Sequence, residues 1–112
     1  MLIAVATKDG KEIDQHFGHA ERFLIYDVEG AEGGKAKLVD EKKIERYCSF
    51  DEGHPLRGHI LRAIAEALAG CRAVVTARIG PAPQEEMERL GFNVYTTTGE
   101  IRSTVVELAK LL

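Results

Sequence analysis

With 112 residues and 45% hydrophobic content, the chain is sized for one domain around one core, and residues 1–112 are expected to form it without a linker. Its 15 basic and 18 acidic residues leave a net charge of −3, which excludes a basic field for wrapping nucleic acid and an acidic tail. Few aromatic residues and no tryptophan leave little from which to build a base-stacking platform.

The opening run Met1-Leu2-Ile3-Ala4-Val5-Ala6 meets Lys8 and Asp9 at once. It is too short for the apolar region of a signal sequence, and no stretch approaches membrane-spanning length. Cys48 and Cys71 are the only cysteines and lie far apart, which fits a reducing compartment rather than a disulfide framework. A cytoplasmic location is therefore expected, with no membrane partner.

Leu2 to Ala6 is a continuous apolar run, the pattern of a strand covered on both faces. Residues 7–20 are polar, contain Gly10 and Gly18, and read as a loop. Arg22 to Val28, with Phe23, Leu24, Ile25 and Tyr26, reads as a second strand. Gly30, Gly33 and Gly34 make a turn into a third, more charged strand over residues 35–47, so the pair reads as a hairpin.

Residues 48–54 form a second polar loop, and Pro55 suits a first helical position. Leu56, Ile60, Ile64 and Leu68 then recur every four residues, with Leu61 and Ala67 widening the stripe and Gly70 as the stop. Residues 73–77 form another buried strand, Gly80-Pro81 opens a short helix ending before Gly91, and residues 92–96 make the last strand. Thr97-Thr98-Gly99-Glu100 has the spacing of a capping box ahead of Ile101, Val105, Leu108 and Leu112.

The order β-β-β-α-β-α-β-α, with the most apolar strands central, predicts an α/β, ribonuclease-H-like three-layer fold. Its mixed five-stranded sheet has the order 3-2-1-4-5 with strand 2 antiparallel, and helices on both faces. The carboxyl ends of strands one, three, four and five then share one edge with the start of strand two. That edge collects the loop with His16 and His19, the loop with Cys48 and His54, His59, and the turn Arg78-Ile79-Gly80. In open α/β sheets the crevice beyond the strand ends is the default binding site.

Four histidines and one cysteine at such an edge are ligand types that suit iron, zinc or copper. His16-x-x-His19 lacks the partners of a structural zinc site, and each histidine taken alone also reads as an ordinary surface residue. Cys48 reads equally as a packed thiol, and Cys71 as core. Gly80-Pro81 leads into a helix N-terminus, where free amides favour an anion, although Pro81 and Pro83 thin the donors. Lys8, Arg22 and Arg78 can add positive charge. Phe17 reads as a packing residue and Gly18 as the bearer of an unusual backbone angle.

A magnesium nuclease needs paired carboxylates, the first of them within strand one, and Leu2 to Thr7 contains no acid. Asp9 comes only in the following loop, Asp27 lies at the far end of strand two, and Glu85, Glu86 and Glu88 read as a solvated helix face. No Ser-His-Asp or Cys-His arrangement is marked.

The blocks Ile3-Ala4-Val5-Ala6-Thr7-Lys8-Asp9-Gly10, Gln15-His16-Phe17-Gly18-His19-Ala20 and Phe23-Leu24-Ile25-Tyr26-Asp27-Val28 resemble the opening of the dinitrogenase iron–molybdenum cofactor-binding domain family. Ile79-Gly80-Pro81 and Leu90-Gly91-Phe92 fit its later turns, so that the resemblance spans essentially the whole chain. It implies a ribonuclease-H-like fold without nuclease chemistry, and binding, storage or delivery of iron–sulfur precursors or the iron–molybdenum cofactor. The family's His-Phe-Gly motif falls on His16, Phe17 and Gly18, with His16 as the implied metal ligand.

The expectation is a non-enzymatic carrier of an iron–sulfur-type cluster, the iron–molybdenum cofactor, its precursor or a related cluster. His19, Arg78 and Gly80 would join the His16 loop around the cargo, and Cys48 and His54 would add metal ligands. Its partners would be cluster donor or acceptor proteins, without nucleic acid. A sparse, exposed ligand set suits release, so the isolated chain need hold no cluster tightly. The alternatives are an interaction module of the same fold that binds no cluster and, ranked lower, a divalent-metal nuclease.

Overall fold

The computed structural model describes residues 1–29, 35–44 and 58–112. Five strands form the main sheet: β1 (Leu2–Ala6), β3 (Arg22–Val28), β4 (Ala36–Lys43), β5 (Cys71–Thr76) and β6 (Asn93–Thr96). Their order is β4-β3-β1-β5-β6. Strand β3 runs antiparallel to both β1 and β4, and β5 runs parallel to β1 and β6. Two further strands, β2 (Glu12–Ile13) and β7 (Gly99–Glu100), make a separate two-stranded ribbon.

Alternation along the central strands divides the core into two layers. Ala4, Ala6, Phe23, Ile25 and Val74 face α1 (Gly58–Ala67) and α2 (Pro81–Arg89), and pack on Ile60, Leu61, Ile64, Leu68 and Met87. Ile3, Val5, Leu24, Tyr26 and Val75 face α3 (Ile101–Ala109), where Ile101, Val105 and Ala109 recur every four residues. Helices thus cover both faces of β1 and of the middle of β5, which explains why Leu2–Ala6 and residues 73–75 are apolar at every position.

Strand β4 forms one edge of the main sheet, and most of its residues are exposed. Ile25 and Tyr26 pair with Asp40 and Leu38, leaving Val39 as the extra residue of a bulge. Asp40, Glu41, Lys42 and Lys43 follow it, so the hydrophobic Leu38 and Val39 lie on an interrupted, charged edge that resists strand addition.

Several boundaries differ from the sequence expectation. The third predicted strand, residues 35–47, is β4 and ends at Lys43, with residues 45–47 outside the described residues. The first helix is described from Gly58, and Pro55 lies outside the described residues. The stretch 7–20 is more than a loop, since it holds β2 and a 3-10 turn, Phe17–His19. The capping box does not form: Glu100 is itself the N-cap residue of α3, without a side-chain cap bond. Gly99 at φ +120° and Glu100 are drawn instead into pairing with Ile13 and Glu12.

Candidate functional site at the carboxyl edge of the sheet

The first loop is built from its backbone outward. Thr7 is almost fully buried just beyond β1, donates its hydroxyl to Glu12 O at 2.6 Å and accepts Gly10 N–H at 3.0 Å. Asp9 Oδ1 accepts the N–H groups of Lys11 and Glu12 at 2.8 and 3.0 Å, and these bonds hold its carboxyl below the usual range. Gly10 takes φ +82° within this turn, which a side chain would resist. Ile13, 1% exposed, enters the α3-side core, and Ile101 N–H donates to Lys11 O at 3.0 Å. The start of α3 and the loop are thus tied together.

The second half of the loop turns to the other face. Phe17 is fully buried in the α1/α2-side core and meets Phe23 with ring centroids 6.1 Å apart. Phe17 N–H donates to Arg78 O at 2.7 Å, Ala77 N–H donates to Gln15 O at 2.9 Å, and His16 and Arg78 form an isolated parallel bridge. The loop therefore runs alongside the extension of β5 and brings His16 to Arg78.

His16 is the N-cap of the 3-10 turn, and its Nδ1 accepts Gly18 N–H at 2.9 Å. His19 N–H and Ala20 N–H close the turn onto His16 O and Phe17 O. The exposed His19 ring stands 4.9 Å from the half-buried His16 ring, tilted by 34°. Gly18 is not among the positive-φ glycines, which corrects the expectation of an unusual backbone angle. Within a 3-10 turn its φ stays negative, and its contribution is a buried N–H aimed at His16.

Burial, then the charge of His19, then that of Arg78 hold the His16 imidazole below its ordinary 6.5. The unfolded chain therefore takes up this proton first. The resulting stabilisation is complete above pH 6.5 and is lost as pH falls through the folded-state value. An NMR titration is expected to give His16 a midpoint below 6.5, and acid destabilisation is expected to be smaller in His16→Asn, which keeps a cap that does not titrate. A midpoint at or above 6.5 would overturn this.

Of the cations expected here, Arg22 is engaged by Glu41 at 3.1 Å and Lys8 O at 2.8 Å, and acts as a strut between β3, β4 and the loop. Arg78 is exposed, and its guanidinium has no ion pair or hydrogen bond among the described residues. Gly80 is the N-cap of α2 without a side-chain cap, and Pro81 and Pro83 lack N–H groups, so that helix end offers few amide donors. Cys48 and His54 lie outside the described residues.

Among the described residues no group of three or more His, Cys, Asp or Glu side chains is arranged to hold a metal ion. Cys71 sits at the opposite end of the sheet, where burial pushes its thiol up to about 11. Asp9 and Asp27 do not meet: Asp27 pairs with the N-terminal ammonium at 3.3 Å, at the far end of β1. Thr7, Ile13 and Thr76 also shape this edge without standing out in the sequence. Thr76, the last residue of β5, is fully buried, and its hydroxyl finds no partner among the described residues. A threonine closing each central strand was the available signal.

Residues 1–111 match the family model for the dinitrogenase iron-molybdenum cofactor domain. The FeMo cofactor biosynthesis protein NifB of Frankia alni is 35% identical over 112 residues, covering 100% of this chain and 21% of that protein. NifB of Klebsiella pneumoniae is 39% identical over 92 residues, covering 80% and 19%. The chain thus spans about a fifth of the length of these curated relatives. The crystal structure of PH0822 superposes with a TM-score of 0.63 at 29% identity, covering 96% of this chain and 86% of that one. A candidate dinitrogenase from Methanocaldococcus jannaschii gives 0.56 at 16% identity, covering 99% and 86%, and shares the mixed α/β fold.

Proposed function

The chain belongs to the dinitrogenase iron-molybdenum cofactor family, and on that premise we propose that it is a non-enzymatic carrier of an anionic iron–sulfur-type cluster. The cargo is the iron–molybdenum cofactor, its precursor or a related cluster, in keeping with relatives named for FeMo cofactor biosynthesis. We read residues 1–112 as one ribonuclease-H-like domain whose β1 carries none of the acids that nuclease chemistry needs. The cargo sits against His16, Phe17, Gly18, His19, Arg78 and Gly80, with His16 in the leading role. Donor and acceptor proteins of the cytoplasm exchange it at this edge.

The observation that supports this best is the bridge joining His16 to Arg78, where an imidazole and a guanidinium with no acidic partner among the described residues share the carboxyl edge of the sheet. A closed four-ligand site would retain its metal, and a carrier must let go. Anaerobic reconstitution with iron and sulfide, or with isolated cofactor, is expected to produce a visible chromophore on the native chain. His16→Ala is expected to lose about tenfold or more in affinity. No bound chromophore on the native chain would end the carrier reading and favour the interaction module, and unchanged binding in His16→Ala would remove His16 from the site.

A further inference from the structure

Resting on that reading, we propose that His16 meets the cargo as a hydrogen-bond donor through Nε2–H and not as a metal ligand, and that with Arg78 it selects a ligand whose outer surface is negative.

A neutral imidazole carries a single N–H, and the nitrogen without it offers the lone pair that a metal takes. Gly18 N–H donates to His16 Nδ1 at 2.9 Å, so Nδ1 presents its lone pair inward and the ring proton lies on Nε2. Ligation through Nε2 would move that proton to Nδ1 and set two N–H groups against each other. Metal-bound histidines have the opposite arrangement, donating their second N–H to an acceptor. The family-implied ligand role therefore does not fit the group behind this ring.

Nor can Gly18 easily give way. It is buried, the turn is closed by His19 N–H on His16 O at 3.0 Å and Ala20 N–H on Phe17 O at 3.3 Å, and Phe17 is fully buried beneath it. Swinging the ring outward would uncap the turn and strand a buried N–H. Arg78 adds the second constraint, because its backbone is fixed by Phe17 at 2.7 Å and its guanidinium has no acidic partner among the described residues. A bare cation would meet positive charge there. A cluster that brings its own coordination, with sulfide or carboxylate acceptors on its surface, would meet two donors.

Three substitutions separate the roles. Asn at position 16 keeps an Nδ1-like cap and loses the outward donor, Gln keeps an outward donor and loses the cap, and Ala loses both. With tetrathiotungstate as a dianionic metal–sulfide probe, His16→Gln is expected to bind within about threefold of the native chain, whereas His16→Asn, His16→Ala and Arg78→Gln weaken by about tenfold or more. Nitrogen-15 spectra of the free chain at neutral pH are expected to show the Nε2–H tautomer, and Co2+ alone no His16-dependent absorption. An Nδ1–H tautomer would overturn the donor role. So would a Gln variant as weak as Ala together with a Co2+ spectrum that vanishes in His16→Ala. Failure of the native chain to bind tetrathiotungstate would overturn the anion selection. The carrier reading is decided separately by reconstitution, so a chain that takes up cluster but shows either overturning pattern remains a carrier without this mode of contact.

Discussion

Phe17→Ala is expected to lower the unfolding free energy by about 3–5 kcal/mol, the range for a fully buried aromatic whose cavity cannot collapse. Phe17 is completely buried in the core cluster that holds Ala6, Ala20, Phe23 and the apolar residues of α1, and its backbone N–H is held by Arg78 O. Small domains are stable by only about 5–15 kcal/mol, so this one truncation would bring the fold near its limit. Urea unfolding followed by circular dichroism measures it. Phe17→Leu keeps most of the volume and is expected to cost far less than the alanine. A loss below about 1 kcal/mol for the alanine would mean that Phe17 is not a core anchor. Cargo binding should decline with it, because His16 precedes Phe17 and Gly18 follows.

Ile13→Ala is expected to cost about 2–5 kcal/mol for a different reason. Ile13 is 1% exposed on the opposite side of the sheet, against the α3-side core, although only three residues separate it from Phe17. One loop thus crosses the end of β1 with an apolar anchor in each core layer. Removing Ile13 frees the ribbon β2–β7, and hydrogen exchange of the Ile101 amide, donated to Lys11 O in the folded chain, should accelerate. Unchanged Ile101 protection alongside a large stability loss would show that the ribbon holds without its anchor.

The parts of the fold visible in the sequence were those with a period. The unbroken apolar runs at Leu2–Ala6 and within Cys71–Thr76 marked strands covered on both faces, and the four-residue recurrence from Ile60 to Leu68 marked a helix. A strand of two residues has no period, so nothing in the sequence sets Glu12–Ile13 apart from the polar loop around it. The Thr97–Glu100 pattern failed because a strand competed for the same residues: pairing with Ile13 and Glu12 straightened Gly99 and Glu100 before the helix began. At the site, residue types pointed to His16, Phe17 and Arg78, but the hydrogen bond from Gly18 could not be read in advance. It depends on the rotamer of one ring within a turn three residues long.

His16 and Arg78 are remote in sequence and become neighbours only across the bridge between the first loop and the end of β5. An unfolded chain has no such pair to offer. By mass action, a cargo that needs both groups holds the folded chain together, by about 2.7 kcal/mol when its free concentration is a hundredfold above its dissociation constant. Under the proposed carrier role, loaded and emptied chains should then differ in lifetime: one carrying cargo would resist heat and proteases, and release would return it to ordinary turnover.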